Sequence, residues 1–206
     1  MLAFTSASAA LLGGWNVSDE EARGLAEYVV RRARPADLEG ARALMLDTFY
    51  LVMGHGYVPE WHADVINMTD TYFRTPGQAL FVAALGDEVV GTAALRAGGP
   101  KSPPNPQWLA ERYDRPSTAQ LCRTYVRAAH RRRGLARALV DLACGFVADS
   151  GTYDTLYLHT DPAIEGAEPF WRSLAKEIHD ERGTGTDNAI IHFEIPLPPP
   201  GDHARN

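Results

Sequence analysis

The stretch Tyr125–Ala143, YVRAAHRRRGLARALVDLA, places Arg131, Arg132 and Arg133 directly before Gly134 and a strongly apolar run. A strand ends near Val126, a short connection follows, and a helix starts at about Gly134. A helix start presents unpaired N–H groups and the positive end of the macrodipole, so it suits anionic oxygens. Gly134 admits close backbone approach, and the guanidinium groups add charge and forked donors. Backbone N–H groups from Arg131 through Leu135 to Ala136 can wrap a pyrophosphate as a nest. The alternative is three arginines merely solvated at a helix end. Electrostatics disfavours it, because a cation beside a helix N-terminus costs roughly 0.3–1 kcal/mol. A bound phosphate is the expected counter-charge.

The other residues with chemical potential are scattered. Cys122 and Cys144 each sit inside apolar runs and read as buried, reduced thiols; two cysteines alone make no metal site. His159 stands late in a strand-like segment, with a purely structural role as its alternative. His55, Glu60, His62 and Asp64 share an aromatic segment. The chain has 206 residues, 45% apolar and 22% charged, enough for one domain with a core needing no staples. A net charge of -6 argues against a general nucleic-acid binder. The opening MLAFTSASAALLGGW lacks a basic region before its short apolar run, and nothing reaches the length of a membrane span. A cytoplasmic protein with no membrane or nucleic-acid partner is expected.

The elements that must position these residues follow from period and punctuation. Residues 1–26 read as an arm ending in a short helix, with Ser18 and Glu21 in a capping-box pattern. Glu27–Arg34 reads as a first strand, and Pro35 and Asp37 open a helix through Leu38, Ala41, Leu44, Met45 and Phe49. ALFVAAL and EVVGTAALR flank a Gly86-Asp87 turn as a hairpin. Residues 98–118 form a Pro-rich loop holding at most one helical turn, around WLAER. AQLCRTYV is a strand, and Gly134–Gly151 a helix with Leu135, Leu139, Leu142 and Phe146 on one stripe. DTLYLHT is a strand, GAEPFWRSLAKEIHDE a helix, and NAIIHFEIPL a final strand. PPPGDHARN, residues 198–206, reads as a disordered tail. The order implies an α/β (α+β) domain over residues 27–197, with a mixed sheet and helices packed on it.

The pattern Arg131-x-x-Gly134-x-Ala136 resembles the Arg/Gln-x-x-Gly-x-Gly/Ala pyrophosphate loop of the GNAT N-acetyltransferases. Val126 stands at the family's last strand residue before that loop, with Ala128 in place of the usual proline two residues later. LHTDPAIEGAEPFW is similar to the family's next strand and helix, with Ala167 and Phe170 at usual positions. VVRRARPADLEGARAL resembles its opening strand and helix, so the likeness covers roughly residues 27–197. It implies a GNAT fold with about six to seven strands, splayed at the acetyl-CoA site, and helices on both faces. It implies acetyl-CoA as cosubstrate, held by Val126 and by Arg131, Arg132, Arg133, Gly134, Leu135 and Ala136. The Val126 N–H would stabilise the oxyanion, worth on the order of 3 kcal/mol. Transfer goes directly to an amine, with no acyl-enzyme.

The departures concern protons. Trp171 stands where most members have a tyrosine acid, and indole is a donor only. Ile164 replaces a frequent asparagine, and Gln120 a frequent strand glutamate. Trp171 and His159 are therefore the candidates at the catalytic centre, with His159 the nearest titratable replacement. Tyr57, Trp61 and His62 are the candidate acceptor-binding residues, in a wider aromatic set of Tyr50, Tyr72, Trp108 and Tyr113. A small-molecule amine is the expected acceptor, and a homodimer is compatible with the sequence. The competing readings are an acyl-CoA-binding module without efficient catalysis, or acetylation of a protein or aminoacyl-tRNA amine.

Overall fold

The structure is a computed structural model that describes residues 25–183 and 189–197. The expected N-terminal helix and arm, apart from their last two residues, and the tail 198–206 lie outside the described residues. The strands are β1 (Val29–Arg32), β2 (Ala79–Leu85), β3 (Glu88–Ala97), β4 (Thr118–Val126), β5 (Thr155–Thr160), β6 (Lys176–Asp180) and β7 (Ile191–Ile195). They form one sheet in the order β1-β2-β3-β4-β5-β7-β6. Every pairing is antiparallel except β4 with β5. The helices are α1 (Leu38–Asp47), α2 (Pro59–Ile66), α3 (Gln107–Tyr113), α4 (Leu135–Ser150) and α5 (Ala167–Arg172).

The hairpin turns where expected, with Gly86 at φ +58°, a conformation that glycine adopts without steric cost. Its second strand is buried from Val89 to Leu95, so it needs cover on both faces. On one face α4 buries Leu135, Leu139, Val140, Ala143 and Val147, with Leu142 and Phe146 at the margin of that core. Gly91 allows this close approach, because a Cβ there would meet Leu139 Cδ1 at 3.2 Å. On the other face α1 buries Ala41, Leu44 and Met45, followed by Phe49. A mixed sheet with helices on both faces is thus present, and it has seven strands.

Two elements differ from expectation. The helix read over residues 166–181 stops at Arg172, and Lys176–Asp180 becomes the edge strand β6 paired with β7. Local propensity favours helix for Ala-Lys-Glu, but pairing lets Ile178 pack on the cluster of Leu109, Tyr113 and Tyr157. The 98–118 segment holds more helix than a single turn. Its seven-residue α3 drives Leu109 and Tyr113 fully out of solvent.

The opening that matters for function is in the middle of the sheet. β4 and β5 pair only at Thr118↔Thr155, Ala119↔Leu156 and Gln120↔Tyr157. Beyond that point Leu121–Val126 and Leu158–Thr160 have no ladder between them, and the two strands splay. β4 also carries a register shift opposite Thr92 and Ala94. Arg123 sits within it at φ +54°, with its carbonyl accepting a hydrogen bond from Thr92 Oγ1 at 2.8 Å. Such a bulge bends the strand and aims side chains that a regular ladder would not.

Candidate active site

The arginine turn lies at the mouth of the splay. Ala128–His130 make one 3₁₀ turn, Arg132 takes φ +62°, and Gly134 takes φ +78° at the N-cap of α4. A non-glycine residue held left-handed costs on the order of 1 kcal/mol, so the surrounding loop must impose it. All three arginines are exposed, and the first turn of α4 contains no acidic residue. The first turn of α4 therefore supplies no anion where the helix dipole favours one. Arg131 Nε donates to the Val126 carbonyl at 3.1 Å, tying the turn to the end of β4. Arg133 lies over the Tyr28 ring at 5.9 Å, and Tyr28 Oη meets His130 Nδ1 at 2.9 Å. Arg127 N–H donates to Val90 on β3. Successive strand N–H groups point to opposite edges, so the Val126 N–H faces the splay.

Inside the splay, His159 and Gln120 meet from β5 and β4, with Gln120 Nε2 3.5 Å from His159 Nδ1. Desolvation lowers the His159 pKa to about 4, and the charges of His192, Arg123 and Arg96 add to it. The ring is hemmed in by protein yet exposed toward the cleft, so water offsets part of that shift. Its direction, toward a neutral imidazole at pH 7, is what the chemistry uses. Gln120 also accepts a long bond from Arg96 Nη2 at 3.4 Å. Trp171 and its neighbour Phe170 pack edge-to-face at 4.8 Å within the core beneath α4, on the face away from His159. Both cysteines are free, and burial pushes the Cys144 thiol up to about 12 and raises Cys122 as well.

A cavity of about 310 Å³ opens beside Gln120, lined by Asp64, Asn67, Thr71, Arg96 and Lys101 among others. Tyr57, Trp61 and His62 do not line it. His62 is buried, stacked on Phe49 at 3.9 Å, and its Nδ1 accepts the Val58 N–H at 2.9 Å. That bond caps the start of α2 and keeps the ring neutral, with desolvation and Arg123 lowering its pKa to about 4. Trp61 is 55% exposed, and its carbonyl accepts from Arg123 Nη2 at 2.6 Å. Tyr57 lies 5.9 Å from the His62 ring, between centroids. Tyr72 and Tyr113 are core residues.

Sequence reasoning missed Arg96, Arg123 and Lys101 as site residues. Arg123 makes two bonds to Asp64, at 3.0 and 2.7 Å, and Arg96 reaches the same carboxylate at 3.5 Å. A clue was available: Arg96 and Arg123 are charged residues on predicted strands, where a buried position demands a partner. Among the described residues, no group of three or more His, Cys, Asp or Glu side chains is placed to hold a metal ion. Likewise no described helix is long and apolar enough to cross a membrane.

Comparison with known proteins agrees with this geometry. N-acetyltransferase 8 of Mus musculus is 32% identical over 142 residues, spanning 66% of this chain and 57% of that protein. Its Rattus norvegicus counterpart is 30% identical over 142 residues, spanning 66% of this chain and 59% of that protein. The chain thus spans less than two thirds of the length of these relatives. A GNAT-family acetyltransferase of Staphylococcus aureus shares the fold with a TM-score of 0.61 and 16% identity, covering 81% of this chain and 98% of that one. A Salmonella typhimurium protein solved with its cofactor acetyl-CoA superposes with a TM-score of 0.60 at 13% identity, covering 87% of this chain and 97% of that one. Residues 39–175, most of the chain, match the acetyltransferase (GNAT) family, and the chain belongs to that family, whose cofactor is acetyl-CoA.

Proposed function

We propose that the chain transfers an acetyl group from acetyl-CoA directly to the amine of a small-molecule acceptor. The observation that carries this reading is the splay between β4 and β5, with the arginine turn at its mouth and, where the strands still pair, Gln120, which also lines the neighbouring cavity. The turn fits a pyrophosphate: two left-handed residues, exposed guanidinium groups and the N-terminus of a 16-residue helix without an acid in its first turn converge there. Arg131, Arg132, Arg133, Gly134, Leu135 and Ala136 would hold it, and the Val126 N–H would face the acyl group.

When bound, acetyl-CoA supplies the activated thioester. The chain's own work is to orient the acceptor and take its proton. A lysine-like amine of pKa about 10.4 is unprotonated in only about one molecule per thousand at pH 7, a cost of roughly 4–5 kcal/mol. Burial favours the neutral form of His159, whose exposed ring then has a lone pair for this proton, while Arg123 and Arg96 weaken its hold on it. Direct transfer is supported by the cysteines: burial and neighbouring carboxylates raise both thiol pKa values, which makes them poor acyl carriers. Asp64, Arg96 and Lys101 give the cavity a mixed polar wall, which suits a small polar amine.

The test is acetyl-CoA thiol release in the presence of a panel of amines, amino acids, aminoglycosides and peptides. Release that depends on a small amine is the expected result. Tight coenzyme A binding without turnover on any of them would mark an acyl-CoA-binding module instead, and turnover confined to protein or aminoacyl-tRNA amines would move the acceptor to a macromolecule. His159→Gln is expected to lower kcat about a hundredfold while leaving acetyl-CoA affinity unchanged, the usual worth of a general base.

A further inference from the structure

Behind His159 a chain of hydrogen bonds runs from the cleft into the protein. His159 and His192 stand opposite one another across β5 and β7. The Tyr157 hydroxyl lies 3.2 Å from His159 Nδ1 and 2.7 Å from His192 Nδ1. His192 Nε2 lies 2.6 Å from Glu181 Oε1. Tyr157, His192 and Glu181 are 0%, 0% and 1% exposed, so these three groups bond to one another out of reach of bulk solvent.

The connectivity fixes where the protons sit. The Glu181 carboxylate accepts, so His192 Nε2 carries the hydrogen. Burial disfavours the charged imidazolium and lowers the His192 pKa, with Glu181 opposing that shift. A neutral His192 has a bare Nδ1, which accepts the Tyr157 O–H. That hydroxyl has one proton to give, so toward His159 its oxygen can only accept, and His159 Nδ1 must be the donor. Gln120, at 3.5 Å, is at the limit of contact and does not overturn this order. His159 Nε2 is left with the lone pair that a base requires.

We propose that Tyr157, His192 and Glu181 are positioning residues that hold His159 as its Nδ1–H tautomer and relay the acceptor's proton out of the cleft. This rests on the reading of His159 as the base. The amine N–H bond breaks and its proton joins His159 Nε2. The Nδ1 proton moves to the Tyr157 oxygen, the hydroxyl proton to His192 Nδ1, and the His192 Nε2 proton to Glu181. One proton has left the amine and one has reached a carboxylate, while each intervening group holds as many as before. The reverse passage returns the proton to solvent through the cleft. The relay answers a specific difficulty: Arg96 and Arg123 repel a proton held on His159, and Glu181 at the far end attracts it.

The groups facing this chain are few. Gln120 approaches from β4, Arg123 and Arg96 lie on the same face of the sheet, and the Tyr113 ring of α3 packs at a tilt against Tyr157, with centroids 4.8 Å apart. Tyr113 in turn donates to Glu194 of β7 at 2.9 Å. His179 and Asp180 of β6 flank His192, with the His179 ring 5.9 Å away.

The experiment uses the full chain and two kinds of readout. Tyr157→Phe and Glu181→Gln keep shape but break proton transfer, and are expected to lower kcat roughly tenfold with the KM for acetyl-CoA unchanged. The wild-type rate in mixed H2O and D2O should curve with deuterium fraction, since several protons move, and should become linear in Tyr157→Phe. Ring ¹⁵N NMR at pH 7 should find His159 as Nδ1–H and His192 as Nε2–H, with His159→Gln giving the assignment. Full kcat in Tyr157→Phe beside a crippled His159→Gln overturns the relay alone. Full kcat in His159→Gln overturns the base reading and the relay with it. Finding His159 as the Nε2–H tautomer overturns the relay even if no acceptor amine is known.

Discussion

Gly134→Asp is expected to weaken acetyl-CoA binding about a thousandfold or more while the protein stays folded. Gly134 sits at φ +78° at the start of α4, with exposed arginines before it and no acid in the first turn. The orphan N–H groups there are free to meet pyrophosphate oxygens. An aspartate places its own carboxylate among them, so the site is occupied from within and any incoming phosphate meets a like charge. Two charge-assisted hydrogen bonds at roughly 1.5–3 kcal/mol each, plus that repulsion, amount to about 4 kcal/mol. Each 1.4 kcal/mol is about a tenfold change in affinity. Stability should change little, because the left-handed strain on Asp is partly offset by its favourable charge at a helix N-terminus. Titration calorimetry with acetyl-CoA is the direct measurement. Gly134→Ala separates backbone strain from charge and should lose far less. Affinity within threefold of wild type in the aspartate variant would remove the turn from the cofactor site.

The arginine turn was legible because its logic is local: charge, glycine and helix start fall within a few residues of each other. The hairpin at Gly86-Asp87 was legible for the same reason, and so was half of the α4 stripe: Leu135 and Leu139 are buried, whereas Leu142 and Phe146 lie at the margin and Val140, Ala143 and Val147 complete the buried face. What escaped notice depended on partners distant in the chain. Lys176–Asp180 reads as helix until β7 offers an edge, and the gain is then the burial of Ile178 against Tyr113 and Tyr157. His159 stood out by its place in a strand. Its significance depends on the β5–β7 register that sets it opposite His192, and register between strands about thirty residues apart is not written in either segment. His62 shows the converse dependence. A histidine in an aromatic segment suggested a binding residue, yet its ring caps α2 and stacks on Phe49 in the core.

The same argument applies to Asp64, whose three partners come from separate elements. Its carboxylate accepts from Tyr72 Oη at 2.6 Å and from Arg123 at 3.0 and 2.7 Å, and faces Arg96 at 3.5 Å. The Asp64 and Arg123 side chains are only 3% and 11% exposed. Burial pushes the Asp64 carboxyl up, but Arg123, Tyr72 and Arg96 together outweigh it and hold it below the usual carboxylate range. Asp64→Asn keeps the shape and removes the charge, leaving buried Arg123 and half-buried Arg96 against a neutral amide. The expected loss is about 3–5 kcal/mol, the usual cost of breaking rather than replacing a buried pair. Because the folded pKa is depressed, this contribution is fully present above the unfolded value near 3.9 and is lost as pH falls through the folded value. Wild type should therefore exceed Asp64→Asn by a constant margin from pH 5 to 8, and the margin should shrink below about pH 4. Urea unfolding across that range measures it, and a difference under about 1 kcal/mol at pH 7 would refute the assignment. Asp64→Leu combined with Arg123→Met should recover part of the loss, since it removes both charges together. The recovered protein should still bind acetyl-CoA through the arginine turn while handling acceptors poorly, because Asp64 ties α2 and the cavity wall to the bulge in β4.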